Sequence, residues 1–230
     1  MFIINGLQKS TLIDFPKKIA SIVFSQGCNF RCGYCHNPEL LSLNIPKTQI
    51  STEEVLSFLK TRKGKLDGVV VTGGEPTLQA GLYDFIREIK SMGFLVKLDS
   101  NGSNPKILEK LIGDNLLDYI AMDIKAPLDK YSEITNVKIN TENIQKSINM
   151  IMNSGVDYEF RTTVVKSQLS FDDFEKIGKL INGAKRYYLQ KFVASKIYDE
   201  TLQNETTYSN EEFSQLCGIL RKYIEEVKFR

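Results

Sequence analysis

From position 19 onward the chain alternates short runs rich in Ile, Val and Phe with longer stretches whose apolar residues recur every three to four positions. The first pattern suits strands covered on both faces and the second suits amphipathic helices packed on them, so their alternation predicts βα units around a mainly parallel sheet. Six strands are expected, at 19–25, 68–72, 95–99, 119–124, 158–165 and 186–192. Helix starts are marked between them: Ser51 stands three residues before Glu54, Asn104 precedes Pro105, and Ser170 stands three before Asp173. Phe85, Ile86 and Ile89 share one helical face before Gly93, as do Ile107, Leu108, Leu111 and Ile112 before Gly113, so both stretches should pack on the sheet and end at glycine. A last helix is predicted over 209–228, with Ser209 as its cap and Phe213, Leu216, Leu220 and Val227 along it, after a polar connection at 199–208. Residues 1–18 read as a short strand or hairpin extension.

Six βα units are too few to close an eight-stranded barrel. The expected fold class is therefore α/β, a partial, open (β/α)6 TIM-like barrel, with a flat doubly wound sheet as the other arrangement. The 230 residues suit one domain over 1–230. In both architectures ligands collect at the carboxyl ends of the strands, so the residues following each strand are where chemistry is sought.

Thirty basic residues against 28 acidic ones give a net charge of +2, so the totals offer no electrostatic case for nucleic acid or an anionic membrane, and any partner must be recognised locally. The N-terminus lacks a basic segment followed by a long apolar run, and nowhere do about 18 apolar residues run together. A cytoplasmic protein is expected. Three of the four cysteines fall at positions 28, 32 and 35, a clustering that in a reducing compartment favours metal ligation over disulfides.

Those cysteines lie directly after the first expected strand, in Gln26-Gly27-Cys28-Asn29-Phe30-Arg31-Cys32-Gly33-Tyr34-Cys35-His36-Asn37. Thiolates are soft ligands suited to iron–sulfur clusters, and a four-iron cluster held by three of them leaves one iron open. A zinc site completed by His36 is the alternative, although His36 directly follows Cys35 and tetrahedral ligation by both is awkward. The second strand runs into Gly73-Gly74-Glu75-Pro76, where two glycines would let a ligand approach the backbone without a Cβ in the way. Asp99 and Ser100 end the third strand, and Asp123 and Lys125 the fourth. Such groups could surround a zwitterion or simply form turns and caps. Arg161 shares a strand face with Thr163 and Val165, and an inward Arg needs a carboxylate or similar partner. Cys217 reads as core packing. His36 suits either a bound nucleoside or sulfide, or a structural hydrogen bond.

Cys28, Cys32, Tyr34 and Cys35 meet the pattern Cys-x3-Cys-x-aromatic-Cys, and at this loop the chain resembles the radical S-adenosylmethionine (radical SAM) superfamily. The stretch from Tyr34 to Asn37 resembles that of glycyl-radical-enzyme activases. The segments 6–9, 12–16, 97–103, 122–127 and 159–165 together resemble the activating proteins of anaerobic ribonucleoside-triphosphate reductase, so the likeness spans most of 1–192. The resemblance implies a 4Fe-4S cluster on Cys28, Cys32 and Cys35, with the amino and carboxylate groups of S-adenosylmethionine on the fourth iron. It places Gly73, Gly74 and Glu75 at the methionyl amino group. It makes Tyr34, His36, Asp99, Ser100, Asp123, Lys125 and Arg161 candidates for the carboxylate, ribose and nearby contacts. Activases of the pyruvate formate-lyase type carry a histidine after the sixth strand, where this chain has Tyr188-Leu189-Gln190-Lys191-Phe192, leaving Gln190 to take over that contact.

The implied activity is reductive cleavage of S-adenosylmethionine and formation of a glycyl radical on a partner enzyme, here anaerobic ribonucleotide reductase. Flavodoxin or ferredoxin would be the one-electron donor, and neither nucleic acid nor membrane takes part. Two other functions stand beside it: a radical enzyme acting on a small molecule, similar to 7-carboxy-7-deazaguanine synthase, and a non-catalytic iron–sulfur or zinc module. The short chain favours the first, since no further cysteine cluster could hold auxiliary centres and few residues remain to wall off a small substrate.

Overall fold

In a computed structural model that describes residues 2–44 and 49–230, the apolar runs form strands and the amphipathic stretches form helices. Two compact units result. The first comprises the residues up to Asn29, Glu39–Ser100 and Asn104–Ile120; the second comprises Phe30–Pro38, Asn101–Ser103 and Ala121–Arg230.

In the first unit β1 (Ile4–Thr11) runs antiparallel to β2 (Ala20–Ser25), which pairs in parallel with β3 (Gly68–Gly73), and β3 with β4 (Leu95–Ser100). The register sets Ala20 against Gly68, and Gly68 against Leu95. Helices α1 (Thr52–Lys60), α2 (Leu82–Ser91) and α3 (Pro105–Gly113) follow the strands, burying Val55, Leu59, Phe85, Ile86, Ile89, Leu108 and Leu111. Each such side chain contributes about 1.5–3 kcal/mol of transfer free energy. Strand β5 (Tyr119–Asp123) begins in this unit, where Tyr119 packs with Phe15, Ala20, Ile22 and Val70.

The second unit continues through α4 (Tyr131–Thr135), α5 (Thr141–Asn153), β6 (Asp157–Val164), α6 (Phe171–Leu180), β7 (Arg186–Lys191), α7 (Asn210–Leu220) and β8 (Glu226–Phe229). β6, β7 and β8 are parallel, with Phe160 against Tyr187 and Arg186 against Glu226. Phe160, Phe174, Tyr187 and Phe213 are fully buried.

Strand order along the eight-stranded sheet follows the sequence from β1 to β8. A doubly wound sheet reverses its order at a switch point; this one does not, and it is the open, partial barrel form of the α/β class. Beyond the six βα strands, β1 is the strand expected within residues 1–18, and β8 is the one that was not expected. The predicted helix over 209–228 stops at Leu220. Val227 lies seven residues after Leu220, a spacing that mimics one helical face, but Glu226-Val227-Lys228-Phe229 alternates as a strand and buries Val227. The N–H groups of Glu225 and Glu226 donate to the Ala184 and Lys185 carbonyls and fix where β8 starts.

Most helix starts form as expected. Ser170 with Asp173 and Ser209 with Glu212 make reciprocal capping boxes, and Ser51 accepts from the Glu54 N–H. Asn104 does not cap α3; its amide donates to the Thr77 carbonyl instead. Among the described residues no helix is long and apolar enough to cross a membrane.

Candidate active site

In the first unit the chemistry-bearing residues follow β2, β3 and β4. Gly27, at φ +89°, turns the chain out of β2. The Gly27 N–H donates to the Leu40 carbonyl at 2.8 Å and the Cys28 N–H to the Leu41 carbonyl at 3.3 Å. The turn is braced by the buried Gln26 side chain, which accepts from Asn5 at 2.7 Å and donates to the carbonyls of Glu39 at 3.2 Å and Ser42 at 2.7 Å. The Gln79 amide in turn donates to the Gln26 carbonyl. Cys28 is buried at the end of this arrangement.

The Gly73-Gly74 turn lies directly on that backbone. Gly74 N–H donates to Ser25 O at 3.0 Å and Glu75 N–H to Gly27 O at 2.8 Å. A Cβ on Gly73, whose φ is +119°, would sit 2.3 Å from Ser25 N, and one on Gly74 only 2.2 Å from Gly27 O. The two glycines therefore serve first to let the β3 turn meet the backbone that carries Cys28, a reason different from the ligand approach read in the sequence. The Glu75 carboxylate accepts from Thr77 N–H, Thr77 Oγ1 and Ser100 Oγ, so both Glu75 and Ser100 are engaged within the turn. Asp99 accepts from buried Lys97 and from Thr72 Oγ1.

In the second unit the loop continues as a tight turn, with the Cys35 N–H donating to the Cys32 carbonyl at 3.0 Å and Arg31 N–H to Thr135 O at 2.8 Å. Residues after β7 hold it: Tyr198 N–H donates to Cys35 O at 3.0 Å and Asp199 N–H to Gly33 O at 2.9 Å. A Cβ on Gly33 would come within 2.9 Å of the Leu202 side chain. His36 is exposed, its Nε2 is 2.8 Å from the Val193 carbonyl, and its ring stacks on Phe192 at 6.0 Å. One imidazole nitrogen is thus committed to the protein's own backbone.

Asp123, at the end of β5, accepts from Arg161 Nε at 2.8 Å and Lys125 Nζ at 3.1 Å. Asp123 is the carboxylate that the inward Arg161 required. Beneath them the buried Tyr131 hydroxyl accepts from Lys125 N–H and donates to the Asp123 carbonyl. Burial opposes the Asp123 charge, yet the Arg161 guanidinium and Lys125 ammonium outweigh it and hold the carboxyl well below the usual carboxylate range. Burial likewise works against the Lys125 charge, while Asp123 and the nearby Tyr34 and Cys32 groups push its pKa well up. Burial raises the Cys32 thiol and Lys125 pulls the other way. Gln190 pairs with Thr163 in the β6–β7 ladder, one alternation beyond the Arg161–Tyr188 pair and therefore on the Arg161 face.

Gln26, Tyr131 and the 193–204 segment were not singled out from the sequence. Tyr131 offered one signal, an aromatic with a polar tip shortly after a strand end. The other two show only through backbone contacts.

Cys28, Cys32 and Cys217 are buried and Cys35 is partly exposed. Among the described residues no three His, Cys, Asp or Glu side chains are grouped as for a metal ion. Two further features bear on an iron–sulfur cluster: soft donors at three positions of one loop, and the Tyr34 hydroxyl, which is buried without a regular hydrogen-bond partner yet close enough to Cys32 to favour its thiolate. By the chemistry of its donors the loop suits such a group.

The family model of the radical SAM superfamily matches residues 22–181. The chain belongs to this superfamily and is an enzyme of the kind that works with a 4Fe-4S cluster and S-adenosylmethionine. It is 34% identical over 233 residues to a protein of Methanocaldococcus jannaschii named "Putative glycyl-radical enzyme activating enzyme", covering 99% of this chain and 95% of that one. It is 31% identical to the pyruvate formate-lyase-activating enzyme of Clostridium pasteurianum, over 78% of this chain and 74% of the relative. Among solved structures, Streptococcus suis SuiB bound to S-adenosylmethionine shares the fold with a TM-score of 0.69 at 14% identity, over 91% of this chain and 49% of SuiB.

Proposed function

We propose that this chain activates a glycyl-radical enzyme, and that the partner is anaerobic ribonucleoside-triphosphate reductase. The observation that carries the activase reading is the match over 99% of the chain to a relative named as such an activating enzyme. The choice of partner rests on the motif resemblance at 6–9, 12–16, 97–103, 122–127 and 159–165.

Cys28, Cys32 and Cys35 would hold three irons, and the bound cluster with S-adenosylmethionine supplies one electron and a carbon radical at the nucleoside 5′ position. The protein's own work is placement. Gly27, Gly74 and Gln26 fix the backbone at Cys28, while the amides of Tyr198 and Asp199 fix the turn between Cys32 and Cys35. Burial raises the Cys32 thiol, and Lys125 works against that rise, towards the thiolate that ligation requires. Arg161 and Lys125 offer cationic donors to a methionyl carboxylate, Asp99 and Asp123 offer acceptors, and the backbone of Gly73, Gly74 and Glu75 adds further polar groups. Gln190, on the Arg161 face, would take over the ribose contact that the resemblance gives to a histidine in related activases. Flavodoxin or ferredoxin would deliver the electron.

The rival reading, a small-molecule radical enzyme, called for a closed substrate pocket beneath the last helix. A groove of about 260 Å³ does lie there, lined by Ser214, Cys217, Arg221, Val227, Lys228 and Phe229, but it is open and contains none of the cofactor candidates. Mixing the reconstituted, reduced protein with S-adenosylmethionine and the reductase tests the proposal. A glycine-centred paramagnetic signal is expected, and none with Cys32→Ala. Turnover of a purine-like small molecule with no signal on any glycyl-radical partner would overturn it.

A further inference from the structure

The cysteine pattern asks only for an aromatic ring just before the third cysteine, and Phe would satisfy it. This chain has Tyr34 there, only 4% exposed, with its hydroxyl buried and without a regular hydrogen-bond partner among the described residues. A buried donor left unsatisfied is costly, so one that persists two residues from a ligand candidate calls for an acceptor.

Its surroundings, all in the second unit, leave one. Four polar side chains influence the hydroxyl: Cys32, Lys125, Asp123 and Tyr131. The Lys125 ammonium, 5.9 Å from the centre of the Tyr34 ring, has only protons to give. The Asp123 carboxylate is taken up by Arg161 Nε at 2.8 Å and Lys125 Nζ at 3.1 Å. The Tyr131 hydroxyl is held between the Lys125 N–H and the Asp123 carbonyl, both at 3.3 Å. The Cys32 sulfur remains, within reach of the Tyr34 hydroxyl. As a thiol it is a weak acceptor, whereas a thiolate bound to iron carries negative charge and accepts well. The turn keeps the pair together, since Cys35 N–H donates to Cys32 O at 3.0 Å and Asp199 N–H to Gly33 O at 2.9 Å.

We propose that Tyr34 is a positioning residue whose hydroxyl donates to the iron-bound Cys32 sulfur and raises the reduction potential of the cluster. Reduction adds one electron, part of whose charge is felt at the cysteine sulfurs, so a hydrogen bond to sulfur stabilises the reduced form more than the oxidised one. No bond breaks and no proton is transferred. Burial makes that bond count for more than it would in water. The proposal rests on Cys32 as an iron ligand and not on the choice of partner.

The test is a potentiometric titration of the full reconstituted chain without S-adenosylmethionine, with the reduced cluster counted by paramagnetic resonance. Tyr34→Phe keeps the ring and removes the donor, so iron per chain should equal wild type. The reduced-to-oxidised ratio at the wild-type midpoint should fall about tenfold, a shift of about 59 mV to more negative potential for one electron. A monofluorinated tyrosine in place of Tyr34 is a stronger donor and should move the midpoint the other way, a reversal of sign that loosened packing would not produce. Tyr34→Phe with full iron and the wild-type midpoint overturns the proposal and leaves the ligand assignment and the activase reading standing. Should Tyr34→Phe load no cluster, the fluorinated chain decides, and a midpoint that stays or falls overturns the proposal. A wild type that takes up no cluster overturns it together with the ligand assignment.

Discussion

Replacing Gly74 by Ala adds a single methyl group at the point where two backbones meet. The new Cβ would stand 2.2 Å from Gly27 O, 2.6 Å from Gly27 C and 2.8 Å from Leu40 O. These are backbone atoms, so no rotamer change relieves the overlap and the β3 turn must move away from the loop after β2. Movement breaks or stretches the bonds from Glu75 N–H to Gly27 O and from Gly27 N–H to Leu40 O, both 2.8 Å. Each is worth about 1 kcal/mol, and overpacking of this kind costs about 1–3 kcal/mol. The expected loss is about 3–5 kcal/mol, a large fraction of the 5–15 kcal/mol that holds a typical domain. Because Cys28 directly follows Gly27, cluster assembly should suffer along with S-adenosylmethionine affinity. The assay is anaerobic urea unfolding of the metal-free chain, paired with iron per chain after reconstitution. Wild-type midpoint and full iron content in Gly74→Ala would refute the reasoning and return the glycine pair to a role in ligand approach alone.

Gly218 is the converse case, exposed within α7 with nothing near its would-be Cβ, so Gly218→Ala should raise stability by about 0.5–1 kcal/mol in the same unfolding assay. Asp123→Asn leaves Arg161 and Lys125, whose side chains are 13% and 15% exposed, without their carboxylate and should cost about 3 kcal/mol at neutral pH. Since the folded-state pKa of Asp123 is depressed, its contribution is fully present above the unfolded value of about 4 and fades as pH falls through the folded one; the variant's stability should change less over that acid range when unfolding is followed by circular dichroism. Cys217→Ser should keep full iron content, whereas Ala at position 28, 32 or 35 should abolish it in the reconstituted protein.

The parallel βα plan was legible because buried strands write continuous apolar runs and their helices write a 3.6-residue period. The cysteine loop was legible because its three ligand candidates lie close together in the chain. Arg161 announced a partner, and Asp123 answered it, because an inward cation in an apolar strand has few alternatives. The missed features depend on tertiary backbone contacts that leave little trace in one sequence. β8 is four residues long and its Val227 fell on the periodicity of the helix before it. Of the three bonds that make up the Gln26 bracing, the two it donates go to main-chain carbonyls, for which many residue types could serve as the accepting partner. The 193–204 segment grips the cysteine loop through its own amides, so its side-chain pattern gave no sign of that contact.

The most direct test of the account follows an isotope from partner to product. The protein is reconstituted with iron and sulfide, reduced, and mixed with S-adenosylmethionine and anaerobic ribonucleotide reductase whose glycines carry deuterium at Cα. Hydrogen abstraction from the partner predicts 5′-deoxyadenosine enriched by one deuterium, in step with a glycine-centred paramagnetic signal, and neither with Cys32→Ala. Unlabelled 5′-deoxyadenosine from a fully loaded protein, with no such signal on the partner, would contradict it.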